Sequence, residues 1–217
     1  MIKMLHVKYH QFIELWKKEG LLTACKFSIY RHEEAVPVEK DLATLCTLKQ
    51  PEGVGDFKLI ELDEQNFNST NIEYLTKSRK EKLFININNG YRRYVLTKNN
   101  QAVADIWYVT DSAAYASPIR KYLLWFRIKL NPDEVYLFDM YLLPDERGKG
   151  MAAFFMSSVL QRLKEKGVKK VYGYFNANNI PAMWVHRLLK FQELPRVDLS
   201  KFLWFEFAKA KSRNKPS

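Results

Sequence analysis

Tyr141-Leu142-Leu143-Pro144-Asp145-Glu146-Arg147-Gly148-Lys149-Gly150-Met151-Ala152 lies between two strongly patterned segments. Before it, residues 135–143 are apolar throughout apart from Asp139, which predicts a central strand buried on both faces. After it, residues 150–166 place Phe154, Phe155, Val159, Leu160 and Leu163 at helical spacing. Lys164, Lys166 and Gly167 then end that helix. The joining turn reads Arg-x-x-Gly-x-Ala at Arg147, Gly150 and Ala152. Small residues let backbone N–H groups approach an oxyanion, and a helix N-terminus adds a favourable dipole. The physics is that of a pyrophosphate cradle; the competing reading is a plain helix entry. No Lys-Ser/Thr pair follows, so it is not a Walker loop, and the dinucleotide fingerprint needs three glycines at another spacing.

The composition sets the frame around this motif. The chain has 217 residues, 47% hydrophobic and 14% aromatic, enough for a core and inconsistent with global disorder. That length predicts one domain, or one domain with an appendage. Eight glycines and eight prolines are too few for a fibrous chain. No apolar run approaches the ~20 residues of a membrane span. Lys3, Lys8, Glu14, Lys17 and Lys18 interrupt any signal-peptide pattern. Cys25 and Cys46 have no metal-like spacing, and two free thiols read as cytosolic. The formal charge of +11 points to an anionic partner: nucleic acid, a membrane surface or a phosphate-rich cofactor.

Beyond the turn, residues 168–175 read as a strand and 180–190 as a short helix. Pro181 stands in its first turn, where a missing N–H costs little. Residues 192–197 and 202–208 form a closing strand pair, and 209–217 a basic, solvated tail. Before the turn, 57–62 reads as a short strand. A helix runs from a cap at Ser69 or Thr70 to about Phe84, with Ile72, Leu75 and Leu83 on one face, and Asn88-Asn89-Gly90 stops it. Residues 91–97 and 101–110 flank Lys98-Asn99-Asn100 as a hairpin. Residues 113–127 read as a loop or short helix. At the N-terminus, Leu5, Tyr9, Phe12, Ile13 and Trp16, then Leu21, Leu22, Cys25 and Ile29, recur at helical spacing. Residues 33–50 are charged and contain Pro37, as a connector would, and Pro51-Glu-Gly-Val-Gly55 is a linker signal. The domain plan is a helical extension and connector over 1–50, a main domain over 51–208 and a tail over 209–217.

The order strand, Arg-x-x-Gly-x-Gly/Ala, helix, strand, Asn-x-x-Ala, helix resembles the GCN5-related N-acetyltransferases, the GNAT superfamily. Asn179-Ile-Pro-Ala182 matches the second motif, and Lys190-Phe191 stands where the family has Gly-Phe. The resemblance covers residues 134–191, and 57–130 by element order. It implies a mixed α/β fold: a central, twisted, mostly antiparallel sheet flanked by helices and splayed at the cofactor strand. Leu143 and Phe175 would then lie near a V-shaped opening. It also implies acetyl-CoA as acyl donor and direct transfer to an amine, which needs proximity rather than a Ser or Cys nucleophile. Backbone groups near Met140 and Leu142 would pair with the pantetheine arm. The N–H groups of Gly148, Lys149, Gly150, Met151 and Ala152 would hold the pyrophosphate, with the Arg147 and Lys149 side chains beside it. Asn179 would meet the pantetheine arm or the acyl end. A backbone N–H on the splayed strand would hold the developing oxyanion. Where many members place a Tyr that protonates the leaving thiolate, this chain has His186, which titrates near neutral pH. The competing reading of His186 is a helix residue packed on the sheet. Candidates for a general base are Asp139, then Glu134, with Tyr141 nearby; the competing reading of Asp139 is a hydrogen-bonded strand residue.

Residues 1–31 admit two readings: helices docked on the main domain, or a basic amphipathic segment on an anionic membrane. Five basic against two acidic residues from Lys8 to Arg31 is a modest excess. Glu19-Gly-Leu-Leu, Tyr30-Arg-His-Glu-Glu and Lys40-Asp-Leu are loosely similar to extensions on GNAT-type proteins of bacterial envelope saccharide assembly. That similarity would make the acceptor an amino sugar or a related small amine. Acceptor loops would be 84–91 and 113–131, the aromatic second one forming a pocket wall, a core contact or a homodimer contact. His6, His10 and His32 show no ligand spacing with acidic or Cys partners, so no metal is expected. The rival functions are a non-catalytic coenzyme-A-binding sensor and a nucleic-acid binder. Acids interleave the basic runs at 77–82 and 164–170 and no nucleic-acid motif occurs, which counts against the latter.

Overall fold

The computed structural model describes residues 2–45, 48, 49, 51, 57–74, 76–148, 150–202 and 205–210. Cys46, Leu75, Lys149, most of the 51–55 linker signal and nearly all of the basic tail lie outside the described residues. The strands are β1 (Tyr30–Asp41), β2 (Lys58–Leu62), β3 (Arg92–Lys98), β4 (Gln101–Thr110), β5 (Glu134–Leu142), β6 (Lys170–Asn176), β7 (Gln192–Glu193), β8 (Val197–Phe202) and β9 (Phe205–Ala210). The helices are α1 (Ile2–Glu19), α2 (Leu21–Ile29), α3 (Lys77–Asn88), α4 (Asp111–Tyr115), α5 (Arg120–Phe126), α6 (Met151–Glu165) and α7 (Ile180–Leu188). The strands form one sheet in the order β2-β3-β4-β5-β6-β1-β8-β9, with β7 also on β1. Every strand pair is antiparallel except β5–β6. This is the mixed α/β architecture that the family resemblance implies.

Side-chain alternation builds a core on each face of the sheet. Ile106 and Tyr108 of β4, with Val135 and Leu137 of β5, pack under Phe155, Val159, Leu160 and Leu163 of α6. Trp107, Val109 and Tyr136 point the other way, toward Leu83 and Ile87 of α3 and Leu123 and Phe126 of α5. The β3–β4 hairpin turns through Asn99 (φ 52°) and Asn100 (φ 62°). Two successive left-handed residues make a primed turn, whose twist matches the strands, and Asn tolerates that conformation best after Gly.

Two sequence expectations give way, and a third is refined. Residues 33–50 are not a connector up to residue 41. Tyr30–Asp41 is a twelve-residue strand between β6 and β8, so the sheet begins well before the expected boundary at residue 51. Charge hid it: Glu33 and Lys40 are buried, but Glu33 accepts from Arg31 and Asn176, and Lys40 donates to Thr44. Pro37 brings no N–H to satisfy, and its carbonyl accepts from Leu194 at 2.8 Å. The helix expected from Ser69 or Thr70 starts at Lys77. The Ser69 and Thr70 hydroxyls donate backward to the Asn66 and Phe67 carbonyls, a local bond that competes with capping. Residues 113–127 resolve into α4 and α5, with Pro118 between them.

Among the described residues no helix is long and apolar enough to cross a membrane. Helix α1 docks on α3 through Glu14, which accepts from the Ser78 amide (3.2 Å) and hydroxyl (2.7 Å). Val7 and Ala24 are buried.

Candidate active site

The parallel ladder joins Glu134–Tyr136 of β5 to Lys170–Tyr172 of β6 and then stops. On its other edge β5 stays paired to β4 as far as Leu142. The two strands therefore diverge, and no described strand pairs with the β6-facing edge of β5 past Tyr136. Gly173 sits at the apex, where an added Cβ would lie 3.1 Å from the Leu137 carbonyl oxygen. A cavity of about 710 Å³ opens there. Leu137–Leu142, Arg147, Gly148, Ala152, Tyr172–Asn176, Asn179 and His186 are among its lining residues. Phe175 lies at the opening, as expected, and Leu142 rather than Leu143 lines it.

Beside the apex β5 bulges. Phe138 opposes Trp107 and Tyr141 opposes Asp105, so Asp139 and Met140 together face Ile106. Asp139 takes φ 52°, a left-handed conformation costing a non-glycine residue about 1–3 kcal/mol. Its partners explain why it persists. Its carboxylate pairs with Arg79 Nη1 at 2.8 Å and Lys82 Nζ at 2.9 Å, and its carbonyl accepts from Arg79 Nη2 at 2.9 Å. Arg79 is also paired with buried Asp105, which fully buried Arg93 holds from the other side. The Arg79 guanidinium stands 4.8 Å from the Tyr141 ring centre. Burial pushes the Asp139 carboxyl up, but Arg79 and Lys82 outweigh it and hold the group below the usual carboxylate range.

The turn after β5 runs through a 3₁₀ segment, Pro144–Glu146, into two left-handed glycines, Gly148 (φ 92°) and Gly150 (φ 77°). A Cβ on Gly148 would meet nothing within 4 Å, and one on Gly150 only Pro51 at 3.9 Å. Backbone conformation rather than crowding thus calls for glycine here, and it leaves open space over the N-terminus of α6. Helix geometry leaves the first-turn N–H groups after Met151 without an intrahelical carbonyl. Arg147 folds back, its Nε donating to the Leu142 carbonyl at 3.1 Å. Contrary to the sequence expectation, Met151 offers no free donor to a phosphate: its side chain is buried in the core and its N–H donates to the Gly148 carbonyl at 3.0 Å.

Asn179 caps α7, its Oδ1 accepting from the Ala182 amide at 3.2 Å. His186 lies on the same helix, stacked on Phe175 (centroids 4.9 Å apart) and edge-on to Phe191 (4.8 Å). Its Nδ1 is 2.7 Å from the Ala182 carbonyl, which can only accept, so Nδ1 carries the proton. Burial lowers its pKa, so near neutrality the ring is uncharged and Nε2 is an acceptor.

The structure gathers Asp139, Met140, Leu142, Arg147, Gly148, Ala152, Asn179 and His186 around one cavity; Gly150 and Met151 adjoin it without lining it, and Lys149 lies outside the described residues. Glu134 is elsewhere, at the closed end of β5, accepting from the Asn131 amide at 3.0 Å. Sequence reasoning missed Arg79 and Lys82, which hold the bulge, and Arg31 and Glu33, which line the cavity from β1. Asp105 carried a signal for the first pair: a carboxylate inside the apolar run of β4 requires a buried cation.

The sequence matches the Acetyltransferase (GNAT) family over residues 59–191, more than half of the chain. No curated protein matches it. Three of the solved structures it resembles illustrate the shared fold. One is a GCN5-related glucosamine N-acetyltransferase region of a fungal multi-domain GH3 β-N-acetylglucosaminidase (14% identity, TM-score 0.52, 88% of this chain and 23% of that one). Another is a tandem GNAT protein of the clavulanic acid biosynthesis pathway (14%, 0.51, 85% and 58%). The third is a GCN5-related N-acetyltransferase from Sphaerobacter thermophilus (12%, 0.50, 85% and 56%). The present chain thus spans at most 58% of their lengths. With the family's sequence pattern matched from 59 to 191 on a sheet splayed at β5, the chain belongs to the GNAT acetyltransferase family.

Proposed function

We propose that the protein is an acetyl-CoA-dependent N-acyltransferase acting on a small amine by direct transfer. One observation carries this reading: the unpaired edge of β5, its bulge and the glycine turn at α6 all open onto a single cavity. The residues fit coenzyme A. Gly148 and Gly150 leave room for a pyrophosphate beside the orphaned N–H groups of α6, and Arg147 adds a cation next to them. Bound acetyl-CoA supplies an activated acyl group. The free edge of β5 near Met140 and Leu142 would orient the pantetheine arm in the manner of an added strand, although the Leu142 carbonyl already accepts from Arg147. A β5 N–H at the bulge would face the acyl oxygen. Asn179, which lines the cavity, would meet the pantetheine arm or the acyl end.

On this reading the two catalytic candidates take different parts. Asp139, held ionised by Arg79 and Lys82, positions the bulge. His186, neutral with an acceptor Nε2, would handle a proton inside the cavity. Those same two features favour a second reading, a coenzyme-A-binding module without turnover. Calorimetry with acetyl-CoA, followed by thiol release over a panel of amino sugars, amino acids and polyamines, separates the readings. Glucosamine, named for the fungal relative, and amino sugars of envelope saccharides head the panel. Binding with turnover supports the transferase, binding without turnover supports the module, and absence of binding removes both. Peripheral membrane contact through residues 1–31 is a separate proposal. It rests on exposed Trp16, Leu21, Leu22 and Ile29, and failure to bind anionic liposomes at low salt would remove it.

A further inference from the structure

We propose that the protein carries a divalent transition-metal site, of zinc-like preference, between α1 and α3, formed by His6, His10 and Glu81. From the sequence alone no ligand set is expected, because His6, His10 and His32 show no ligand spacing with acidic or Cys partners. The fold supplies one. His6, His10 and Glu14 follow one another at four-residue spacing and so share one face of α1. That face meets α3, where Glu14 binds Ser78 and the next turn presents Glu81. Glu81 Oε1 is 3.1 Å from His10 Nε2 and 4.0 Å from His6 Nδ1, and all three donor atoms lie within 4.8 Å of one another. Zinc bonds of ~2.0–2.2 Å in a tetrahedron separate neighbouring ligand atoms by about 3.3 Å, so shifts of about an ångström close the shell.

A second observation points the same way. The other carboxylate oxygen, Glu81 Oε2, is buried and has no hydrogen-bond partner among the described residues. A buried anionic oxygen without a donor is costly, and a cation held at the same carboxylate offsets that cost. Two imidazoles and a carboxylate, borderline nitrogen donors with one hard oxygen, suit zinc, cobalt(II) or nickel(II) rather than calcium or magnesium. His6 is 71% exposed, which leaves the fourth position to water. The ion would tie α1 to the helix whose Arg79 and Lys82 hold the cleft bulge.

The test uses the full-length, untagged chain, stripped with chelator and titrated with Co²⁺, with Zn²⁺ in competition. The expected result is one saturable set of visible cobalt bands, their displacement by Zn²⁺, and a higher melting temperature with Zn²⁺. His6→Ala should weaken binding by more than about tenfold, since even outer-shell partners of a ligand are worth that much. Because that imidazole is mostly solvent-exposed, the variant should melt like wild type without metal. His10→Ala and Glu81→Gln should lose the bands, and His32→Ala should keep them. The proposal is overturned by absence of bands and of a Zn²⁺ shift, by a His6→Ala titration like wild type, or by equal loss in His32→Ala, which would mark the ion as adventitious.

Discussion

Asp139→Asn separates positioning from base catalysis. Asn tolerates the left-handed conformation and keeps an acceptor, so the bulge should survive, but the charge that Arg79 and Lys82 hold is gone. Breaking a fully buried pair costs about 3–5 kcal/mol, and an exposed one about 0–1. Here Arg79 is 8% exposed, Lys82 25% and Asp139 31%, and Asp105 still holds Arg79, so the case falls between. A loss of about 2 kcal/mol is expected, seen as a melting point lower by ~4–8 °C in a chain of this size. The sign with pH follows from the depressed folded pKa. The Asp139 contribution is complete above the unfolded value of ~3.9 and disappears as pH falls through the lower folded value. Wild type and variant should therefore differ at pH 7 and converge in acid. Turnover, followed by thiol release, should fall less than about tenfold with an unchanged pH profile, whereas loss of a general base costs ~10²–10⁴. A drop in that range, with one limb of the profile removed and stability unaltered, would refute the positioning role.

Three further outcomes test the site. Gly150→Glu should abolish acetyl-CoA binding by calorimetry, because it strains a φ of 77° and sets a carboxylate beside the phosphates. Gly167→Ala (φ 86°), at the other end of α6, should cost only about 1 kcal/mol of stability and leave binding intact. Arg147→Ala should weaken acetyl-CoA about tenfold, with a shallower salt dependence than wild type. His186→Asn tests the buried neutral ring. Its folded pKa lies below the unfolded ~6.5, so wild-type stability should fall as pH drops from that value toward the folded one. A denaturant series for the Asn variant should lack that loss; an identical slope would show that the ring is not held neutral.

Most of the proposed cofactor side was legible along the chain as local geometry. Arg147, Gly150 and Ala152, and Asn179 with Ala182, are spaced by local geometry: a turn that needs left-handed glycines and a helix that needs a cap. Strand alternation and helical period located β2–β6 and α6 and α7 to within a few residues. The acid–base side was not legible. Asp139 drew attention by interrupting an apolar run, but its role depends on Arg79, sixty residues away. His186 looked like a proton donor by position, and only the fold, which buries it against Phe175 and Phe191, lowers its pKa below the ordinary histidine range.

The sequence by itself determined what neighbours along the chain determine: periodicity, turn chemistry, capping and the family pattern. Tertiary structure alone decided that Tyr30–Asp41 enters the sheet, that Asp139 is a paired bulge residue, and that His6 and His10 meet Glu81. The physical reason is common to all three. A charged or polar side chain in sequence reads as solvent-facing, and becomes a buried strand residue, a fixed anion or a proposed ligand only when the fold brings its partner alongside.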